Sequence, residues 1–144
     1  ENSTVFQSNY EKYAAELDAL DTEFREKLAP LPNRTIVVAH EAFGYLCDAY
    51  GLTQVGIEGL SPDSEPDPGR MAEVIDFVRA NNVRTIFFEE LVSPKVAQTI
   101  ASETGAEAKM LNPYEGLSDE QLAAGADYFS VMRDNLAALT EALK

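Results

Sequence analysis

The sequence predicts an α/β domain: a four-stranded parallel sheet flanked by helices and preceded by a long N-terminal helix. Three observations lead there. Short, largely apolar runs rich in β-branched residues recur along the chain, each is followed by a stretch with helical spacing, and cap and turn residues stand at the junctions. Strand and helix alternate four times, the pattern of right-handed crossovers in a parallel sheet.

Taken in order, Tyr10, Tyr13, Ala14, Leu17, Leu20, Phe24 and Leu28 recur at steps of three and four with acids between them, the spacing of an amphipathic helix. Pro30 and Pro32 end it. Residues 34–39 (RTIVVA) read as a strand buried on both faces. A helix over 42–50 follows, with Gly51 as its C-terminal stop. A second strand is predicted over 53–57, centred on Val55 and Ile57. Residues 58–67 form a loop rich in Pro, Ser and acid, and Asp67-Pro68 supplies an N-cap and a first-turn proline for a helix to about Ala80. A third strand covers 84–88. Ser93-Pro94 caps the next helix, which Gly105 stops, and 107–111 make a fourth, weaker strand. Ser118 and Gln121 stand three apart as a capping box, predicting one last helix to Leu143.

Composition narrows the function. The chain has 144 residues, with 11 Lys and Arg against 25 Asp and Glu, a formal charge of −14. That balance excludes a nucleic-acid binder, which must neutralise phosphates, and disfavours an anionic membrane surface. The apolar fraction of 45% is that of a folded domain, so the charge does not signal disorder. One cysteine excludes an internal disulfide and any CxxC zinc site, and Cys47, within Tyr45-Leu46-Cys47, reads as a buried inert thiol. No apolar run is long enough for a membrane span and no signal peptide opens the chain. The first residue is Glu1 rather than methionine, from which a piece of a longer protein is expected.

Ligands of open parallel sheets bind at the carboxyl ends of the strands. The predicted strands end in His40-Glu41, in Glu58-Gly59, in Glu89-Glu90, and in the run Asn112-Pro113-Tyr114-Glu115-Gly116. Carboxylates and the chain's single imidazole thus converge on one edge, a donor set suited to zinc or manganese. Two credible ligands do not make a closed zinc site. Against this stand plainer readings: His40 packed at a strand end, Glu89 and Glu90 bracing the Ser93-Pro94 helix start, and Glu58, Asp63, Glu65 and Asp67 in a solvated loop. Catalytic patterns are absent, with no GxSxG, P-loop or GxGxxG. A receiver-type phosphoacceptor domain would want an aspartate after its third strand and a fifth strand.

The stretch Val37-Val38-Ala39-His40-Glu41-Ala42-Phe43-Gly44-Tyr45-Leu46, followed by Tyr50-Gly51-Leu52, resembles a segment of bacterial zinc and manganese ABC-transporter substrate-binding proteins, the cluster A-I metal-binding family. Gly59-Leu60-Ser61-Pro62 with Glu65-Pro66, Ile86-Phe87-Phe88-Glu89-Glu90 through Ser93-Pro94-Lys95, and Leu111-Asn112-Pro113-Tyr114-Glu115-Gly116-Leu117 continue the match in order. Residues 128–135 are similar to the family's closing helix, and the likeness runs over residues 5–144.

The resemblance implies two α/β lobes joined by a long rigid helix, with the metal between them. Residues 1–30 then correspond to the end of the linking helix and 31–144 to the C-terminal lobe, the N-terminal lobe being absent from this chain. It implies His40 and Glu115 as the metal ligands of this lobe, two further histidines coming from the other. His40 leans toward Zn²⁺ over Mn²⁺, since manganese-type relatives place a carboxylate at that position. Glu89 and Glu90 remain structural or supporting, with Glu90 the candidate to orient His40. The implied protein is an extracytoplasmic binding module, periplasmic or lipid-anchored and not an enzyme. It would be monomeric and feed zinc to the membrane permease of an ABC importer, while the isolated lobe would hold zinc weakly or not at all. Two alternatives stay open: a divalent-metal-dependent acidic α/β enzyme domain using Glu89 or Glu90 as base, and a surface adhesin-type relative.

Overall fold

Alternation of side chains along β1 (Thr35–Val38) decides the layering of the molecule. Ile36 and Val38 turn to one face and Val37 to the other, and all three are buried, so both faces need a cover. In the computed structural model, which describes residues 2–58, 66–90 and 93–144, helices provide it on each side. The sheet contains β1, β2 (Thr53–Gly56), β3 (Thr85–Phe88) and β4 (Glu107–Met110), all parallel, in the order β2-β1-β3-β4. The predicted four-stranded parallel sheet with flanking helices and a long leading helix is the fold found.

One face is covered by α1 (Ser3–Leu28), α2 (Gly44–Tyr50) and α6 (Tyr128–Ala142), whose Leu20, Phe24, Cys47, Leu136 and Leu139, with Phe43 at the cap of α2, pack on Ile36, Val38 and Phe87. The other face is covered by α3 (Pro68–Ala80) and α4 (Lys95–Thr104), where Val74, Val78, Ala97 and Ile100 meet Val37 and Ile86. Arg34, just before β1, ties two helix ends together. Its guanidinium donates to the carbonyls of Leu28, Tyr50 and Gly51, the cations and carbonyls matching at the negative ends of α1 and α2.

Most predicted junctions are present. Gly51 and Gly105 close α2 and α4 in the left-handed region at φ 64° and 77°, and Asp67 accepts from the N–H groups of Gly69 and Arg70 at 2.8 and 3.0 Å with Pro68 in the first turn. Two predicted features differ. The final helix is broken into α5 (Asp119–Ala123) and α6. Gly125, at φ 76°, turns the chain out of helical geometry, and Asp127 with Ser130 forms a second capping box that starts α6 afresh. Ser93 does not cap α4: the residue at the cap position is Pro94, with no side-chain hydrogen bond.

Candidate metal site

In the order β2-β1-β3-β4 the chain leaves β1 toward one side and β3 toward the other. The crevice between their carboxyl ends is the switch point at which such sheets take ligands. Val37 pairs with Ile86 and Val38 with Phe87. Continuing that register sets His40 beside Glu89. The backbone holds it there: Ala39 N–H donates to Phe87 C=O at 2.9 Å, and Ala42 N–H folds back onto His40 C=O at 2.9 Å to turn the chain into α2.

His40 Nδ1 meets Glu89 Oε1 directly, and among the described residues neither atom has another hydrogen-bond partner. Both residues are buried, at 5% and 3% exposure. Burial pushes the Glu89 carboxyl up, the His40 ring and backbone N–H pull it down, and Glu115 adds a smaller upward push. With Nδ1 turned to a carboxylate, Nε2 is the nitrogen left to donate to a metal, the arrangement typical of metal-ligating histidines.

The residue beside His40 is therefore Glu89, not Glu90. Glu90 Oε2 accepts from Gln121 Nε2 at 3.2 Å. Gln121 also accepts from Ser118 N–H in the capping box of α5, so Glu90 braces α5. Glu58, at the end of β2, is half-buried; burial raises its carboxyl, the neighbouring His40 lowers it and Glu89 raises it. It faces this cluster instead of lying in a solvated loop. Glu41 turns aside, its Cγ packed so closely on Gly56 that a Cβ there would sit 2.5 Å away. Asp67 caps α3, while Asp63 and Glu65 lie outside the described residues.

Glu115 follows β4 on the loop into α5, exposed at the same edge and near enough to Glu89 to raise its carboxyl. Among the described residues no group of three or more His, Cys, Asp or Glu side chains is placed to hold a metal ion. The edge thus offers one imidazole, one exposed carboxylate and two partly or wholly buried carboxylates around them, a donor set that fits a borderline cation such as Zn²⁺ but does not enclose one. A concavity of about 900 Å³ lies at the opposite edge among Asn81, Asn82, Arg84, Gly105 and Glu107, and none of these site residues lines it.

Among the described residues no helix is long and apolar enough to cross a membrane. The family model described as zinc-uptake complex component A, periplasmic, matches residues 1–142. The chain is 41% identical over 143 residues to the high-affinity zinc uptake system protein ZnuA of Bacillus subtilis, covering 99% of this chain and 45% of that protein. Its fold superposes on the Zn(II)-bound ZnuA-like domain of Streptococcus pneumoniae AdcA with a TM-score of 0.84 at 40% identity, covering 99% of this chain and 53% of that one. The laminin-binding protein Lbp of Streptococcus pyogenes gives a TM-score of 0.84 at 38% identity, covering 96% and 53%. The chain thus spans about half or less of the length of the relatives it matches. Sequence and fold agree, and the chain belongs to the family of periplasmic zinc-uptake complex component A.

Proposed function

We propose that this chain is the C-terminal half of a two-lobed extracytoplasmic protein that binds zinc and passes it to the membrane permease of an ABC importer. His40 and Glu115 are its two metal ligands. The single observation that carries the reading is the buried His40–Glu89 pair at the switch point, which orients the imidazole so that Nε2 faces away from its carboxylate partner. Zinc is cargo here, completed into a four-ligand site by donors from the other lobe. Residues 1–30 are the linking helix and 31–144 the lobe. Support for that division comes from α1 itself, which buries only Leu20, Phe24 and Leu28, all in its C-terminal portion. The intact protein acts as a monomer, periplasmic or lipid-anchored, and it is a carrier and not an enzyme. The enzyme reading needs a free base, whereas Glu89 is committed to His40 and Glu90 to Gln121.

Zinc titration by competition with a chromophoric chelator tests this on the present chain and on the two-lobed parent. The chain alone should bind weakly, because two ligands chelate little. In the parent, His40→Ala and Glu115→Ala should each weaken zinc by at least about 10-fold. Tight, nanomolar binding by the chain alone would overturn the split site, and an unchanged His40→Ala parent would remove His40 from it.

A further inference from the structure

Glu115 sits on an irregular loop, yet the chain on both sides of it is fixed. At the end of β4, Leu111 N–H donates to Phe88 C=O at 2.9 Å, the last contact with the neighbouring strand. The next residue, Asn112, is held by a side chain instead. Asn135, buried on α6, accepts from Asn112 N–H through Oδ1 at 2.9 Å and donates from Nδ2 to Asn112 C=O at 2.7 Å. Its amide thereby stands in for the peptide group that a further strand would have offered. Asn112 then uses its own Oδ1 to accept from Tyr114 N–H at 2.7 Å, closing a turn over Pro113. Tyr114 adopts φ 62°, and its ring lies edge-on to that of Tyr128, centroids 5.1 Å apart.

Beyond Glu115 the chain is caught again at Ser118, by the reciprocal cap with Gln121 and by the bond from Gln121 to Glu90. Only residues 115–117 lie between the anchors at Tyr114 and Ser118, which can stand at most about 14 Å apart even when the chain is extended. The position of the Glu115 carboxylate is therefore set largely by where Asn112 is held.

We infer that Asn135 is the positioning residue for Glu115: by pairing with both backbone groups of Asn112, it sets where the Glu115 carboxylate stands relative to His40 and so shapes the zinc site. The inference rests on Glu115 being a ligand. The chemistry is specific to an amide, which alone among neutral side chains of this size offers one donor and one acceptor in peptide-like geometry. Aspartate would keep the bond from Asn112 N–H and set an oxygen against Asn112 C=O. Alanine would leave both buried backbone groups unpaired.

The test uses the two-lobed parent with Asn135→Asp and Asn135→Ala, and with Leu139→Ala as control, since Leu139 is fully buried in the apolar core on the same helix and has no hydrogen-bonding side chain. Zinc affinity by competition titration and the visible d–d spectrum of the Co²⁺-substituted protein are the readouts. Both Asn135 variants should bind zinc about 10-fold more weakly and change the shape of the Co²⁺ spectrum. Leu139→Ala should lower the melting temperature while keeping affinity and spectrum. Wild-type affinity and spectrum in Asn135→Asp would overturn the inference, and that near-isosteric variant carries the test even if Asn135→Ala fails to fold. Glu115→Gln separates the two levels. If it binds zinc as the wild type does, the ligand assignment falls and the inference with it. If it binds weakly while the Asn135 variants do not, only the inference falls.

Discussion

His40 Nδ1 and Glu89 Oε1 meet across the join between β1 and β3, and the parallel register of those two strands is what brings them together. A buried carboxylate facing the Nδ1 edge of a buried imidazole fixes the ring and leaves Nε2 as the nitrogen turned away from it. Replacing Glu89 by alanine in the two-lobed parent should weaken zinc binding by about 10- to 100-fold, the usual effect of removing a histidine's supporting carboxylate. Replacing Glu90 by alanine should leave affinity within about twofold and act on the start of α5 instead, where its partner Gln121 sits. Competition titration of the two variants side by side decides the assignment, and equal losses would contradict it.

A second prediction concerns the junction of α1 and α2. The Tyr50 hydroxyl donates to Asp21 Oδ1 at 3.0 Å, and its pKa is pushed up to about 12, first by burial and then by that acceptor. The folded protein therefore keeps this proton at pH values where the unfolded chain, with an ordinary tyrosine near 10, has lost it. The resulting stability is fully present below pH 10 and is lost as pH rises toward 12. In urea titrations at pH 7 to 11.5, Tyr50→Phe should unfold at lower urea than the wild type at neutral pH, and the difference should shrink above pH 10. A gap that stays constant across that range would show that the hydroxyl's proton plays no part.

How much of this was legible in the sequence depended on whether a feature is local. The strands, Asp67 with Pro68, Gly51, Gly105 and the Ser118 box are written within a few residues of where they act, and the structure has each of them. The strand-end rule then placed His40, Glu58, Glu89 and Glu115 on one edge without any knowledge of strand order. What periodicity could not supply was the register between β1 and β3, and that register alone distinguishes Glu89 from Glu90. The break between α5 and α6 is hidden too, because the two alanines beside Gly125 continue the helical pattern through the glycine that ends it, and the Asp127–Ser130 spacing gains its meaning as a cap only once that stop is known. Asn135 offered no signal at all, because a polar residue on an apolar helix face shows its partner only when the helix is docked.

The lone thiol yields a third prediction. Cys47 is buried at 4% exposure, and burial, with a smaller push from Asp48, raises its pKa to about 11. The thiolate is the reactive form, so at pH 8 only about 0.1% of it is available, against roughly a quarter of an ordinary thiol. Labelling of the folded chain with a disulfide reagent at pH 8 should be at least about 100-fold slower than that of free cysteine. In strong urea one thiol per chain should react at once. Rapid labelling without denaturant would mean that α2 opens readily, contrary to its packing under α1 and against Ile36 and Val38.

The last prediction asks what covers the front of α1. Its apolar positions continue past the sheet as an uncovered stripe, with Val5, Phe6, Tyr10, Tyr13 and Leu17 between 45% and 69% exposed. The spacing that buries Leu20, Phe24 and Leu28 thus runs on at steps of three and four, where Tyr13 meets Phe129 of α6 with ring centroids 5.7 Å apart but Val5, Phe6 and Tyr10 stay exposed. If the first thirty residues link two lobes, the missing half supplies that surface. Replacing Phe6 and Tyr10 by serine should then leave the unfolding of this chain unchanged, since helix propensity differs little and no contact is lost. In the two-lobed parent the same pair should cost about 1 to 2 kcal/mol for each side chain taken out of a covered site. Parallel urea unfolding of both proteins gives the comparison. An equal, negligible effect in both would mean that the stripe stays bare in the whole protein, and the linking role assigned to α1 would fall.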